Sequence, residues 1–432
     1  MSDTIFALSS GILPSGVAVI RVSGPKVRFA LEMTVGRLPA PRTAALRTIS
    51  GADGEVIDRG LVLFFPAPNS FTGEDVAEFH LHGGRAVVAA FVAFLGGLPG
   101  LRLAEAGEFT RRAFDNGRLD LTEAEGLADL IVADTEAQRR QAVRLAGGAF
   151  RKKAEDWRRR LVDLRAHVEA DLDFSDEDDV PDDVSGAVSR DAVALRIEME
   201  RELLAGQRGE RIRDGFEVVV LGPPNAGKSS LVNALAEREV AIVTDIPGTT
   251  RDLVEVHLDL GGYAVTLVDT AGLRDGGDVI EAEGMRRGRA RAAAADLILW
   301  LDDRAGVPPR EVMTLGGPVL SVHTKGDLHP SNSEGLMVSI YDRASVDRLL
   351  HCLSQEAGSR LGGEAPLVSR ARQRQCLEQA VDALAGIGAP GLPAEIVADR
   401  LRQAGDALGR LTGRIDVEEV LGAIFSTFCI GK

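Results

Sequence analysis

Residues 216–239 read FEVVVLGPPNAGKSSLVNALAERE, and the fold of the middle of the chain follows from this stretch. FEVVVL is a run of apolar, mostly β-branched residues that stops at Gly222, which is how a buried strand looks. LVNALAERE carries its apolar residues at helical steps. Between them Gly222, Gly227, Lys228 and Ser229 have the spacing of a phosphate loop in the strand–loop–helix context that such a loop requires. Glycines let the backbone amides turn inward to meet phosphate oxygens at a helix N-terminus, where anions are favoured. Lys228 supplies positive charge to the terminal phosphates, and the Ser229 hydroxyl is a magnesium ligand. Asn225, Ala226 and Ser230 complete the candidate nucleotide-binding set of this loop.

Working outward, YAVTLVDTAGL (residues 263–273) is a strand ending in Asp269-Thr270-Ala271-Gly272. An acid at a strand end beside a phosphate loop belongs to the magnesium side, and the Gly272 amide can face a γ-phosphate. TDIPGTTRD supplies Thr244, Asp245, Ile246, Pro247, Gly248, Thr249 and Thr250 as a candidate switch, with Thr250 reaching the metal when the γ-phosphate is present. HTKGDL, residues 323–328, fits a guanine-reading element through Lys325 and Asp327. Its first position is Thr324 where Asn is usual; Thr keeps a hydroxyl but loses the amide fork, which predicts reduced guanine affinity. Ser339-Ile340 stands where Ser-Ala is usual. A water-positioning Gln commonly follows Asp-Thr-Ala-Gly, yet here Leu273 and Arg274 follow, and a leucine cannot orient water. Asp275, Asp278, Glu281 and Glu283 are the acids nearby, and spacing does not choose among them.

The flanks have a different texture. Residues 1–116 read as mixed α and β, with GVAVIRVSG and RGLVLFFPAP as strands and a helix over 84–95. From Leu121 to Phe174 the chain is rich in Ala, Leu, Glu and Arg at three- and four-residue steps, the texture of long helix. An acidic, Pro-containing break follows, and then a helix to about Gly209. Strands alternate with helices over 215–365, the pattern of a parallel sheet, and helical texture returns after Pro366. The fold class is therefore multidomain α/β: an N-terminal α+β domain (1–116), a helical domain in two pieces (117–213 and 367–432), and an inserted P-loop domain (214–366).

Composition bounds the function classes. The 432 residues carry a net charge of −15, which argues against a broadly basic protein that coats nucleic acid. Arg151-Lys152-Lys153 and Arg158-Arg159-Arg160 lie among acids and read as solvated helix faces. No apolar run is long enough to cross a membrane, and Cys352, Cys376 and Cys429 have no metal-ligand spacing, so a reducing cytoplasm is the simplest expectation.

Several stretches together are far more specific than a phosphate loop: IRVSGPK, PNSFTGEDVAEFHLHGG, AGEFTRRAFDNGRLDLTEAEGLADLI, TDIPGTTRD, DTAGLR and the terminal FCIGK. With them the chain resembles, over essentially its whole length, the MnmE (TrmE) family of tRNA-modifying GTPases. The resemblance implies an N-terminal domain like folate-binding modules, a helical domain built from two chain segments, and a Ras-like P-loop GTPase domain inserted in it. It also implies work with the flavoprotein MnmG (GidA) to add an aminomethyl or carboxymethylaminomethyl group to the wobble uridine of certain tRNAs. A 5-formyl- or methylene-tetrahydrofolate would supply the one-carbon unit. By matching motif, Asn225 would hold potassium with Thr244, Ile246 and Thr249, and magnesium would sit on Ser229 and Thr250. The family's water-orienting glutamate falls on Glu281, twelve residues after Asp269, and potassium would help two G domains meet. Folate contacts fall on Arg21, Glu78, Arg118 and Lys432, with Arg118 where Lys is commoner and SSGILPSG (9–16) where a Gly/Arg-rich loop is usual. Cys429 would act in tRNA modification and not in GTP hydrolysis. A homodimer, and a heterotetramer with MnmG, are likewise implied. On phosphate-loop chemistry alone, a regulatory or ribosome-assembly GTPase fits equally well, and Thr324 leaves a P-loop ATPase as a weaker reading.

Overall fold

The computed structural model describes residues 3–51, 53–173, 184–242, 254–269, 290–304, 307–328, 336–389, 391–415 and 418–431. These form two compact units: Met1–Ala128 with Leu145–Val188 and Pro390–Lys432, and Asp129–Arg144 with Ser189–Ala389.

The first unit is built on a six-stranded sheet ordered β3-β4-β5-β2-β1-β6, from β1 (Thr4–Leu8), β2 (Ser15–Ser23), β3 (Ala45–Ser50), β4 (Val56–Phe65), β5 (Val76–Gly83) and β6 (Leu101–Leu103). All its pairings are antiparallel except β1 with β6. Strand β5 shows how the two faces differ. Ala77, Phe79 and Leu81 are buried, while Glu78 and His80 alternate with them towards the other face. Helices α1 (Val27–Val35) and α2 (Arg85–Gly97) cover the apolar face, where Leu31, Phe79, Phe91 and Leu95 form the core. Helix α3 (Glu108–Asp115) follows, and then α4 (Leu121–Ile131). Its N-terminus is closed by a reciprocal box: the Glu123 amide donates to Asp120 Oδ1 at 2.8 Å and the Asp120 amide donates to Glu123 Oε2 at 2.7 Å.

The helical texture after Leu121 divides into three helices, α4, α5 (Glu136–Ala146) and α6 (Ala149–Asp173). Gln138 Oε1 accepts from the Asp134 and Thr135 amides and starts α5; Gly147-Gly148 ends it. Helix α7 runs Val184–Asp214, five residues beyond the stop expected near Gly209. Gly209 is a packing position here: a Cβ on it would lie 2.0 Å from the Val368 carbonyl oxygen. The basic clusters on α6 are tied to acids, Arg151 to Glu123 and Glu155, and Arg159 and Arg160 to Asp156.

In the second unit the sheet order is β12-β11-β10-β7-β9-β8. Its strands are β7 (Phe216–Leu221), β8 (Val254–Leu260), β9 (Tyr263–Asp269), β10 (Leu297–Asp302), β11 (Val319–His323) and β12 (Leu336–Met337). Every neighbour is parallel except the β8–β9 hairpin. Val218, Val219 and Val220 are all fully buried because layers pack on both faces. One layer holds α8 (Lys228–Ala236) and α10 (Arg343–Leu361), against Val218, Val220, Leu267 and Leu299; the other packs on Val219, Val268 and Ile298. A short α9 (Arg310–Met313) joins β10 to β11, and α11 (Ala371–Leu384) completes this unit. Helices α12 (Ala394–Thr412) and α13 (Glu418–Ser426) belong to the first. Strand β7 in the centre, flanked by β9 and β10, with β8 antiparallel at the edge, is the strand order of a Ras-like domain.

Candidate functional site

In the second unit the phosphate loop leaves the carboxyl end of the central strand β7, where a parallel sheet presents its binding crevice. Gly222 has φ +156°, and a Cβ there would lie 2.2 Å from the Leu301 carbonyl oxygen, so the loop leaves β7 pressed against β10 as only glycine permits. Asn225 adopts a left-handed conformation (φ 63°), and Gly227 sits at the N-cap of α8. The side chain of Lys228 is buried, and its Nζ donates to the carbonyls of Gly222 and Pro223, both at 2.9 Å, which holds the ammonium against the loop's own backbone. Ser229 and Ser230 are exposed on the first turn of α8. Asp269 ends β9 directly beside Val220 and is 1 % exposed.

The base-reading stretch follows β11. Thr324 is buried, and its hydroxyl donates to the Ala226 carbonyl at 2.7 Å. Lys325 takes φ 54° and donates from Nζ to the Asn225 carbonyl at 2.7 Å and to Asp303 Oδ2 at 2.9 Å. Two consecutive carbonyls of the phosphate loop are therefore bonded from this stretch. Thr324 lacks the amide fork of Asn, yet it retains a bond to the phosphate loop. Asp327 is exposed, and the Ser339 amide donates to Ser345 Oγ at 2.9 Å. Thr244, Asp245, Ile246, Pro247, Gly248, Thr249, Thr250, Thr270, Ala271, Gly272 and Glu281 lie outside the described residues.

In the first unit, Arg21 on β2 and Glu78 on β5 are direct cross-strand partners, joined at 2.9 Å. The Arg21 guanidinium also lies 5.3 Å from the Phe71 ring centroid and 5.8 Å from that of Phe109. His80 Nε2 stands 3.6 Å from Glu78 Oε2. Arg118 is exposed, with its stem beside Gly73. The C-terminal tail docks on the same sheet: Ser9 Oγ donates to the Gly431 carbonyl at 2.8 Å, and Ile430 forms an antiparallel bridge with Ala106. Cys429, one residue before that bridge, is exposed. Lys432 lies outside the described residues.

A second cluster lines a cleft of about 620 Å³ between α3 and α13. Arg112 bridges Glu74 and Glu108, and Arg102 meets Glu108 at 2.6 Å. Burial pushes the Glu108 carboxyl up, but the bonds from Arg102, the Glu105 amide and Arg112 outweigh it and hold the group below its ordinary range. Sequence reading missed the rings of Phe71 and Phe109 around Arg21 and the acid Asp303 beside Lys325. The first pair lies dozens of residues away in sequence; the second had a signal, two acids closing a strand.

Residues 4–118 match the GTP-binding protein TrmE N-terminus, and residues 121–429 match the MnmE helical domain. The tRNA modification GTPase MnmE of Brucella canis is 52 % identical over 435 residues, covering 100 % of this chain and 98 % of the relative. That of Azorhizobium caulinodans is 52 % identical over 437 residues, covering 100 % and 99 %. The chain belongs to the MnmE family of tRNA modification GTPases. As a member of the family it is a GTP hydrolase that binds GTP and acts in tRNA modification. Among solved structures, the G domain of the T. maritima FeoB iron transporter matches 33 % of this chain and 98 % of its own, at 22 % identity and a TM-score of 0.25. No helix among the described residues is long and apolar enough to cross a membrane.

Proposed function

We propose that this chain, together with the flavoprotein MnmG (GidA), adds a carboxymethylaminomethyl or aminomethyl group at C5 of the wobble uridine of certain tRNAs, drawing its one-carbon unit from a tetrahydrofolate. The observation that carries the reading is the docked tail. It brings residues 428–431, with Cys429, onto the sheet that bears the half-buried pair Arg21 and Glu78. A pterin ring is flat and hydrogen-bonding, and a paired guanidinium–carboxylate stacked on Phe71 and Phe109 has matching chemistry. Arg118 and Lys432 would add positive charge for the folate's glutamate tail. Constitutive pairing of two copies through the N-terminal domain, and assembly with MnmG into a heterotetramer, belong to the same proposal. So do the domain limits 1–116, 117–213, 214–366 and 367–432, and residence in the cytoplasm.

In the second unit, Asn225 through Ser230, Asp269, Thr324, Lys325, Asp327 and Ser339 would hold GTP, with 244–250 and 270–272 closing over it. The exposed Ser229 hydroxyl and the buried Asp269 carboxylate are hard oxygen donors at the ends of neighbouring elements, the set that suits magnesium, which Thr250 would join. Magnesium would supply charge compensation for the phosphates. The left-handed backbone at Asn225 fits a loop that offers its side chain outward, with Thr244, Ile246 and Thr249 as further oxygens for potassium. Potassium would supply positive charge against that developed on the transferred phosphoryl, and would favour pairing of G domains. Glu281 would orient the attacking water in place of the missing glutamine.

The test is GTP hydrolysis in potassium chloride against sodium chloride at equal ionic strength, with Glu281→Ala alongside. Potassium activation that the variant loses supports the ion site and the glutamate together. Equal rates in the two salts would remove both. Cys429→Ser separates the units: it is expected to abolish wobble-uridine modification in cells and leave GTP turnover intact, and loss of both would overturn that division.

A further inference from the structure

Beside the phosphate loop, β10 ends at Asp302 and is followed by Asp303-Arg304, and the base-reading stretch runs alongside it. The Thr324 amide donates to the Asp302 carbonyl at 3.0 Å, which sets the two strand ends in register. The next residue, Lys325, holds a left-handed backbone (φ 54°) that a long side chain seldom adopts without support. Its ammonium has two partners. One is the Asn225 carbonyl at 2.7 Å; the other is Asp303 Oδ2 at 2.9 Å. The two side chains of the ion pair are 34 % and 22 % exposed, so water screens it only in part. Hydrogen bonding from Lys325 holds the Asp303 carboxyl below its ordinary range.

A lysine stem is flexible and its charge is a point, so a single carbonyl does not fix where the ammonium rests. A carboxylate on the opposite side does. We propose that Asp303 is a positioning residue for nucleotide binding: by holding the Lys325 ammonium at the Asn225 carbonyl, it fastens the base-reading stretch to the phosphate loop. The other tie comes from Thr324, whose hydroxyl reaches the adjacent Ala226 carbonyl at 2.7 Å. An asparagine could bond the loop and the base together, whereas Thr324 bonds the loop alone, and Lys325, held by Asp303, supplies the second tie to the loop. The inference rests on the assignment of Lys325 and residues 222–230 to the GTP site.

The experiment is a titration of the full-length protein with a fluorescently labelled GDP. It compares Asp303→Ala, Asp303→Asn, Asp303→Glu, Lys325→Met and the Asp303→Ala/Lys325→Met pair, with melting midpoints as a control on folding. Loss of the carboxylate is expected to weaken binding about threefold to fivefold, the upper part of the range of a partly exposed ion pair. Asp303→Glu is expected to restore most of the affinity. In the Lys325→Met background the effect of Asp303→Ala is expected to disappear, because a residue that acts through Lys325 has nothing left to position. Affinity within twofold of the wild type in both Asp303→Ala and Asp303→Asn would overturn the proposal. An undiminished loss in the Lys325→Met background would overturn it as well. Failure of the unaltered protein to bind the labelled GDP would instead remove the underlying assignment of the site.

Discussion

The two six-stranded sheets hold their functional residues in opposite ways. The parallel sheet of the second unit is covered on both faces, so its chemistry is confined to one edge, where loops leave the strands. Residues 222–230 and 324–327 each come from one short stretch of chain. The mainly antiparallel sheet of the first unit has its second face covered only in part, by Phe71 and Phe109, and its candidate site is assembled across strands: Arg21 from β2, Glu78 from β5, Phe71 and Phe109 from the segments beside them. An edge site is written in consecutive residues; a face site is written in register.

Three substitutions put this contrast to the test. Lys228→Ala removes the ammonium of the edge site and is expected to lower GTP turnover by about 100-fold or more, since phosphoryl transfer depends on charge placed at the terminal phosphates. Steady-state phosphate release measures it, and a loss smaller than tenfold would mean that the edge does not concentrate its chemistry in this loop. Arg21→Ala strips the face site of its guanidinium and leaves Glu78, 20 % exposed, with His80 at 3.6 Å as the one ion-pair contact among the described residues. It is expected to cost about 1–2 kcal/mol of stability in urea while GTP turnover stays unchanged. A matching fall in turnover would show that the two regions are not separable in function.

The smallest effect comes from Asp120, the residue that caps α4. Burial raises its carboxyl to about 6, and its Oδ2 has no hydrogen-bond partner among the described residues. A folded-state value above the unfolded one means that the ionised form is disfavoured in the fold. The cost is fully present above pH 6 and is relieved as pH falls through 6 towards about 4. Asp120→Asn keeps the capping oxygen without the charge, so it is expected to stabilise the protein by about 1 kcal/mol at pH 7.5, with the gain shrinking towards zero near pH 4. A gain independent of pH would assign the effect to packing and not to ionisation.

Local patterns made much of this legible in advance. The strand of 216–221 stands where FEVVVL placed it, and the helix expected over LVNALAERE is present but runs Lys228–Ala236, three residues earlier, because it starts at the phosphate loop itself; a buried strand and an amphipathic helix each announce themselves by period. Helix ends were less readable. Gly209 looks like a stop in sequence, yet α7 continues past it because Val368 packs against the bare backbone there, a contact from a distant segment. Thr324 is a similar case. As a residue type it foretold a lost amide; its neighbours in space make it a tie to Ala226, although the two stand 98 residues apart.

What the sequence determined by itself was the chemistry available and the fold class, since phosphate loop, family motifs and strand–helix alternation are properties of contiguous residues. Only the tertiary structure decided which of those groups meet. It paired Arg21 with Glu78 through strand register, carried Gly431 back to Ser9 at the end of β1, and set Asp303 against Lys325 at the mouth of the loop. The reason is physical: register, tail docking and ion pairing across strands depend on how separate segments bury their apolar faces together, and no local period encodes that.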